Sequence, residues 1–396
     1  MTFIGNILWR LTRNRVFDPI RPRIWRYNVY QLTGKTKQSE HNLSTIVFAE
    51  KEIAEYFSKL IYAKEPMIKF LGKRFLSDIP SLTEKAEHDL TIVETNRSFS
   101  HFLFDNGFFA LPQINFVLDI KNPIEAIFSK FSRSKIRYTH KIIQLGYTYE
   151  TTRDPAKLRS FYYEMYLPHM LAKHGKSARP VSYSLCKKFV SNGFLVLIKL
   201  NGEYVSGMIL VANRNELYQP IVAVKNTGKS FSLASYATKY YTIILGKQKG
   251  YGTIDFGDAP PFLSDGLFIY KTEWGMRIRP PQKIDEQVFG IKFSNMNEAV
   301  KDFLSTNPFI FSDGENLRGL TLLDSDTKSV PNLLNVPGLS SLFVISTNFR
   351  FSNLDLPQIK KRSLGDHDIQ ASIPLSRLMR MCHLKDLELR ELPLKN

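Results

Sequence analysis

The chain has 396 residues, 43% of them hydrophobic and 23% charged, and carries a net charge of +17. That composition supplies a full core and two or three domains, which excludes a disordered chain, and the charge favours anionic partners: nucleic acid, phosphorylated cofactors or acidic lipid. The two cysteines, Cys186 and Cys382, stand too far apart in sequence, and without a partner motif, for a disulfide framework or a Cys-rich zinc site. No metal site is expected. No apolar run approaches the roughly 18 residues that span a bilayer, and the N-terminus lacks a signal-peptide core. The expected location is cytoplasmic, with at most peripheral contact with the inner face of the membrane.

In chain order, residues 1–26 read as a basic amphipathic leader. Phe3, Ile4, Ile7, Leu8 and Leu11 recur at helical spacing, and Arg10, Arg13, Arg15, Arg21, Arg23 and Arg26 follow against Asp18 alone. Such a segment suits an anionic membrane surface, and equally a first helix with solvated arginines. Residues 27–122 alternate strands and helices, which argues α/β. The strands are expected near 27–32, 90–94, 108–112 and 116–120. The helix near 50–63 carries Ile53, Phe57, Leu60 and Ile61 on one face.

A long helix is expected from Pro123 to Leu145. Ile127, Phe131, Ser134, Tyr138 and Ile142 form its inner stripe, and Lys130, Arg133, Arg137 and Lys141 line another face. Four neighbouring cations repel one another, which a bound phosphate would relieve; a solvated face is the plainer reading. Arg133 and Arg137 are the substrate-binding candidates there. Further on, 193–200 and 203–212 read as a hairpin about Asn201-Gly202. A strand over 216–224 then runs through Ala223-Val224-Lys225-Asn226-Thr227-Gly228-Lys229-Ser230 into a helix over 232–249.

A strand, a glycine-containing loop and a helix N-terminus make an anion cradle. Lys225, Gly228, Lys229 and Ser230 are therefore the cofactor-binding candidates. The loop fits a relaxed P-loop, with Ala223 in place of the first glycine. It also resembles the pyrophosphate loop of GNAT acetyltransferases, with Ser230 where that loop has a second glycine or alanine. Its place after a hairpin favours the GNAT reading over a P-loop nucleotide-binding protein.

The order of features across residues 85–280 resembles the Fem-like branch of the GNAT acyltransferase superfamily. The elements that carry the resemblance are Leu145-Gly146-Tyr147, Phe161-Tyr162 to His174-Gly175, and Gly202-Glu203-Tyr204-Val205-Ser206-Gly207. After them come Lys249-Gly250-Tyr251, Ile254-Asp255-Phe256-Gly257, Tyr270-Lys271 and Trp274-Gly275. The resemblance implies a mixed-sheet α/β fold, with a degenerate N-terminal half (27–122) and a complete acyltransferase half (123–290). It implies acyl transfer from acyl-CoA, or from aminoacyl-tRNA as Fem-type relatives use, to an amine or hydroxyl of a sugar or cell-envelope precursor.

Acyl transfer needs an activated carbonyl, a deprotonated nucleophile and a donor for the carbonyl oxygen. No nucleophile–histidine–acid arrangement is legible in order, so direct transfer is expected. Asp255 and Asp258 are the candidates for orienting or deprotonating the acceptor. Lys271 is the candidate for neutralising developing charge, and Trp274 for an apolar or sugar-stacking wall. Tyr166 and His169 are placed with the substrate, with His174 as an alternative base. For each, a capping or core role is the plain alternative.

The periodicity changes after Pro280-Pro281. Leu317/Leu320/Leu322, Leu339/Leu342/Val344, Leu364/His367/Ile369 and Leu384/Leu387/Leu389 recur within the 20–29-residue window of leucine-rich repeats. Residues 306–396 are expected to form such a module and to present a surface to a protein partner, or to be strands of a small α/β appendage. A non-catalytic adaptor acting through this segment is the alternative from a different class.

Overall fold

The computed structural model describes residues 26–84, 88–96, 107–175, 178–225, 231–281, 287–313, 316–323, 336–346 and 388–393. The leader up to residue 25, the loop residues Gly228, Lys229 and Ser230, and the third apolar copy at 364–369 lie outside them. No helix among the described residues is long and apolar enough to cross a membrane.

The first stretch carries β1 (Arg26–Lys35), β2 (Asn42–Phe48), α1 (Lys51–Ile61), β3 (Met67–Phe75), α2 (Ile79–Glu84), β4 (Leu90–Asn96) and β5 (Phe108–Ala110). The middle carries β6 (Ile114–Asp119), α3 (Ile124–Phe128), α4 (Arg133–Gln144), β7 (Thr148–Thr152), α5 (Pro155–Ser160), a π-helical segment (Phe161–Tyr166), α6 (Leu167–His174) and α7 (Tyr183–Ser191). Then come β8 (Gly193–Leu200), β9 (Glu203–Asn213), β10 (Glu216–Val224), α8 (Phe231–Gln248), β11 (Thr253–Ala259), α9 (Gly266–Thr272) and β12 (Arg277–Arg279). The last stretch holds β13 (Gln287–Phe293), α10 (Glu298–Thr306), β14 (Phe309–Asp313), β15 (Asn316–Leu323), β16 (Ser341–Ser346) and β17 (Glu388–Pro393). The fold class is mixed α/β, as the sequence implies.

The chain divides into two compact units, one of Met1–Ile114, Pro260–Ile269 and Pro280–Asn396, the other of Asn115–Ala259 and Tyr270–Arg279. In the first, a six-stranded sheet runs β3-β1-β2-β4-β13-β5. The β2/β4 pair is parallel and the other pairs are antiparallel. The stripe on α1 buries Ala54, Phe57, Leu60 and Ile61, and Phe57 meets Phe262 and Phe289 edge-on at 5.8 and 5.4 Å. Such edge-to-face pairs suit the aromatic quadrupole.

A four-stranded sheet follows in the order β14-β15-β16-β17. It corrects the repeat expectation. A leucine-rich repeat stack needs successive strands to run parallel. Only β15/β16 do so, while β14/β15 and β16/β17 are antiparallel. Leu342 and Val344 of the second copy lie on β16 and Leu389 of the fourth on β17, and these two strands run antiparallel. The described strands therefore form a small mixed sheet.

In the second unit the order is β12-β6-β11-β10-β9-β8-β7. The β8/β9 hairpin turns through Asn201 and Gly202, both at positive φ (51° and 83°), as a two-residue turn requires. The long helix expected from 123 to 145 is two helices. Ser132 takes an extended conformation and caps α4, its Oγ accepting from the Lys135 N–H at 3.4 Å. The new phase buries Lys135, Thr139 and Ile142, leaving Ser134 and Tyr138 only partly covered. Lys135 tolerates burial because Glu273 lies 2.9 Å from its Nζ and the rings of Tyr236 and Tyr270 stand 4.7 and 5.0 Å away.

Candidate active site

The second unit's sheet opens at one place. β10 and β11 run parallel and pair only through Glu216/Thr253, Leu217/Ile254 and Tyr218/Asp255. On its other edge, β10 shifts register against β9 between Tyr218 and Ile221. Pro220 in that interval has no N–H to give to a ladder, so the irregularity belongs where it stands. The strands thus part at Gln219 and Phe256, and the candidate residues gather around that parting.

Asp255 is the last residue of β11 paired with β10 and is buried. Its Oδ1 accepts from Asn115 Nδ2 at 2.8 Å and from the Gly257 N–H at 2.7 Å, and its Oδ2 from Arg279 Nη2 at 3.0 Å. Gly257 sits at φ +74°, which lets the backbone fold back onto the carboxylate. Arg279 also forks onto Glu216 at 2.8 and 3.1 Å and donates through Nε to Asn115 Oδ1 at 2.6 Å. Burial pushes the Asp255 pKa up, opposed by Asn115, Gly257 and Arg279. Both Asp255 oxygens are thus engaged, whereas Asp258, the other acidic candidate, takes a 3.0 Å hydrogen bond on Oδ1 from Asn115 and stays exposed.

Lys271, on α9, is buried with Nζ donating to the carbonyls of Phe256 at 3.0 Å and Asp258 at 2.8 Å. Its Nζ lies 5.2 Å from the Phe116 ring centroid. Burial lowers its pKa to about 8, against the pull of Asp258 and Asp255. The structure therefore brings Asp255, Asp258 and Lys271 together.

The other expected residues lie elsewhere. Trp274 is fully buried, with Phe131 edge-on at 5.2 Å and Tyr236 at 6.1 Å; a side chain without exposed surface packs the core and offers no stacking wall. Tyr166 is likewise buried, closing the π-helical segment. Its hydroxyl accepts from the Val181 N–H at 2.9 Å, while Tyr162 donates to the Val181 carbonyl at 2.9 Å. That clamp is a structural use of the tyrosine. His169 is half-buried on α6, and Arg133 and Arg137 are exposed on α4, as are Lys130 just before it and Lys141. Lys225 is exposed at the end of β10, its N–H bonded to the Val205 carbonyl at 2.9 Å. Among the described residues no cluster of His, Cys, Asp or Glu could hold a metal.

Four partners at the site are ones that sequence reading does not reach: Asn115, Glu216, Arg279 and Lys239. The first three are polar residues on β6, β10 and β12, far apart in the chain. Lys239 carries a faint signal, as a lone cation in an otherwise apolar stretch of α8. That helix is buried over more of its circumference than one stripe, at Ala234, Ala237, Thr238, Lys239, Tyr241, Thr242, Ile243 and Leu245.

Neither a protein-family model nor a curated protein matches the sequence. Among solved structures the chain is similar to FemX, at 14% identity and a TM-score of 0.37, covering 67% of this chain and 84% of that one. It is similar to L-PGS from Bacillus licheniformis at 13% identity and 0.34, over 69% and 87% of the two chains. A GCN5-related N-acetyltransferase from Sphaerobacter thermophilus aligns at 9% identity and 0.31, over 67% and 76%. At TM-scores below 0.5 these likenesses assign neither family nor activity.

Proposed function

We propose that this protein is a GNAT-like acyltransferase of Fem type, working at the parting of β10 and β11. The observation that carries the reading is a parallel pair held for three residue pairs and then opened, with Asp258 and Lys271 beside the opening. The ordered Fem-like elements of the sequence support it. In the reaction the acceptor nitrogen or oxygen attacks the donor carbonyl, a C–N or C–O bond forms, and the bond to the leaving sulfur or oxygen breaks. Asp258 takes the acceptor's proton, held towards it by Asn115. Lys271 has one N–H beyond the two given to carbonyls, and that N–H meets the developing oxyanion or the leaving group. Asp255, fixed by Arg279 and Asn115, holds the segment of β11 that presents Asp258.

The donor is acyl-CoA or aminoacyl-tRNA, with the acceptor an amine or hydroxyl of a sugar or envelope precursor. The exposed cations of α4 favour the polyanionic tRNA donor. The test is transfer of a labelled acyl group from acetyl-CoA and from charged tRNA to a panel of amino-sugar acceptors. Lys271→Met and Asp258→Asn should each lower kcat at least 100-fold, or about 2.7 kcal/mol, while the proteins stay folded. Wild-type rates in both variants would sink the assignment.

A further inference from the structure

The site's acids are matched unevenly to its cations: Arg279 takes both Glu216 and Asp255, and Lys239 takes neither. Lys239 projects from α8 to the place where the strands part. Its Nζ donates to Gln219 Oε1 and lies 4.4 Å from the Phe256 ring centroid. Lys271 reaches the same residue from α9, at the Phe256 carbonyl. Two buried lysine nitrogens thus lean on Phe256, the first residue of β11 free of β10. Gln219, the corresponding residue of β10, is fixed from its other end by its Nε2 donating to Thr242 Oγ1 at 2.6 Å.

The charge balance is uneven. Among the described residues Lys239 makes its hydrogen bond to a neutral amide and forms no ion pair. The buried carboxylate Asp255 is already matched by Arg279 at 3.0 Å. The groups facing Lys239 are Gln219 from β10, Phe256 from β11, Lys271 from α9 and the charge of Lys173 from α6. A buried ammonium without a counter-ion is costly, and the amine releases its proton rather than bear that cost. Burial first, then Lys271 and Lys173, push the Lys239 pKa well below the lysine range.

The geometry points to an oxyanion-binding site at the parting of β10 and β11, with Lys239 as its donor, the charge of Lys271 beside it and a carboxylate or phosphate group of the substrate as its ligand. The bound group supplies the negative charge that Lys239 lacks. Binding therefore draws a proton onto Lys239: the free amine and an H+ from solvent become an ammonium donating to the anion. The inference deepens the acyl-transfer reading and rests on it for calling the ligand a part of the substrate. Binding itself is measured without turnover.

The test is a thermal-shift titration of the full chain with sodium sulfate and sodium acetate, at constant ionic strength, from pH 6 to 8. At least one anion should stabilise the protein saturably, with apparent affinity falling as pH rises, because Lys239 must be charged from solvent. A response to sulfate assigns a phosphate-like group, and one to acetate assigns a carboxylate. Lys239→Met should weaken binding at least tenfold and flatten the pH dependence. Lys239→Arg, permanently charged, should bind with little pH dependence, which covers a failure of the methionine variant to fold. Lys188→Ser, on the exposed face of α7, controls for bulk charge and should leave affinity and slope unchanged. The proposal is overturned if neither anion shifts the wild-type melt, or if Lys239→Met binds with wild-type affinity and slope. Anion binding with these properties in a protein that transfers no acyl group would overturn the acyl-transfer reading alone.

Discussion

Lys271 shows how one side chain's surroundings decide its chemistry. In the sequence it is a lysine before Thr-Glu-Trp, singled out by the family resemblance and by no local signal of its burial. In the fold it is buried, tied to two carbonyls and lowered to about 8. The consequence for stability has a definite sign. The unfolded chain keeps this proton until about pH 10.5, whereas the folded protein releases it near 8. The folded state binds fewer protons between those values, so stability rises with pH across the window and the penalty is fully present below it. The wild-type melting temperature relative to Lys271→Met should therefore climb from pH 8 to pH 10, by at most about 1.4 kcal/mol per pH unit. A difference that stays flat over that range would show that no shifted proton resides there. Asp-Phe-Gly reads locally as turn chemistry, yet Asp255 lies within β11, which runs on to Ala259 with Gly257 at positive φ. The pairing of Asp255 with Arg279 was not legible, because nothing local links residues 255 and 279.

Among the elements, β3 departs furthest from its sequence signature. Met67–Phe75 has neither a clean alternation nor a buried face: Met67 is 71% exposed and Phe70 54%. It is an edge strand of the six-stranded sheet, so both of its faces meet water over the first four residues. Its defences are visible. The pairing with β1 shifts register between Val29 and Tyr30, and Lys69, Lys73 and Arg74 interleave the apolar residues. Bulges and cations on an edge discourage a second chain from adding a strand. Replacing Lys69 and Lys73 together by valine should convert a monodisperse preparation into dimers and larger aggregates in light scattering; an unchanged size distribution would show that the cations do not guard this edge. Other elements were plain in advance, among them α1 from its stripe and the β8/β9 hairpin from Asn201-Gly202. The break between α3 and α4 was hidden because Ser132 sits within a sequence that still carries apolar residues at helical intervals.

For the whole molecule the dominant property is charge. A net +17 spread over 396 residues gives a field that gathers polyanions. On α4 the exposed Arg133, Arg137 and Lys141 concentrate part of it. Affinity of the full chain for tRNA, followed by fluorescence anisotropy, should fall log-linearly with salt between about 50 and 200 mM. Arg133→Ser with Arg137→Ser should reduce that slope by about one to two; an unaltered slope would remove α4 from the contact surface. Composition, periodicity and turn residues determined the mixed α/β class, the hairpin and the helix before β11, because each depends on neighbours within a few positions. Tertiary structure alone decided that Trp274 and Tyr166 are core residues, and that β16 and β17 run antiparallel. It also decided that Asn115, Glu216, Lys239 and Arg279 meet around the parted strands. Those outcomes depend on which strands become neighbours and on how much water each side chain loses, and neither quantity is written in local spacing.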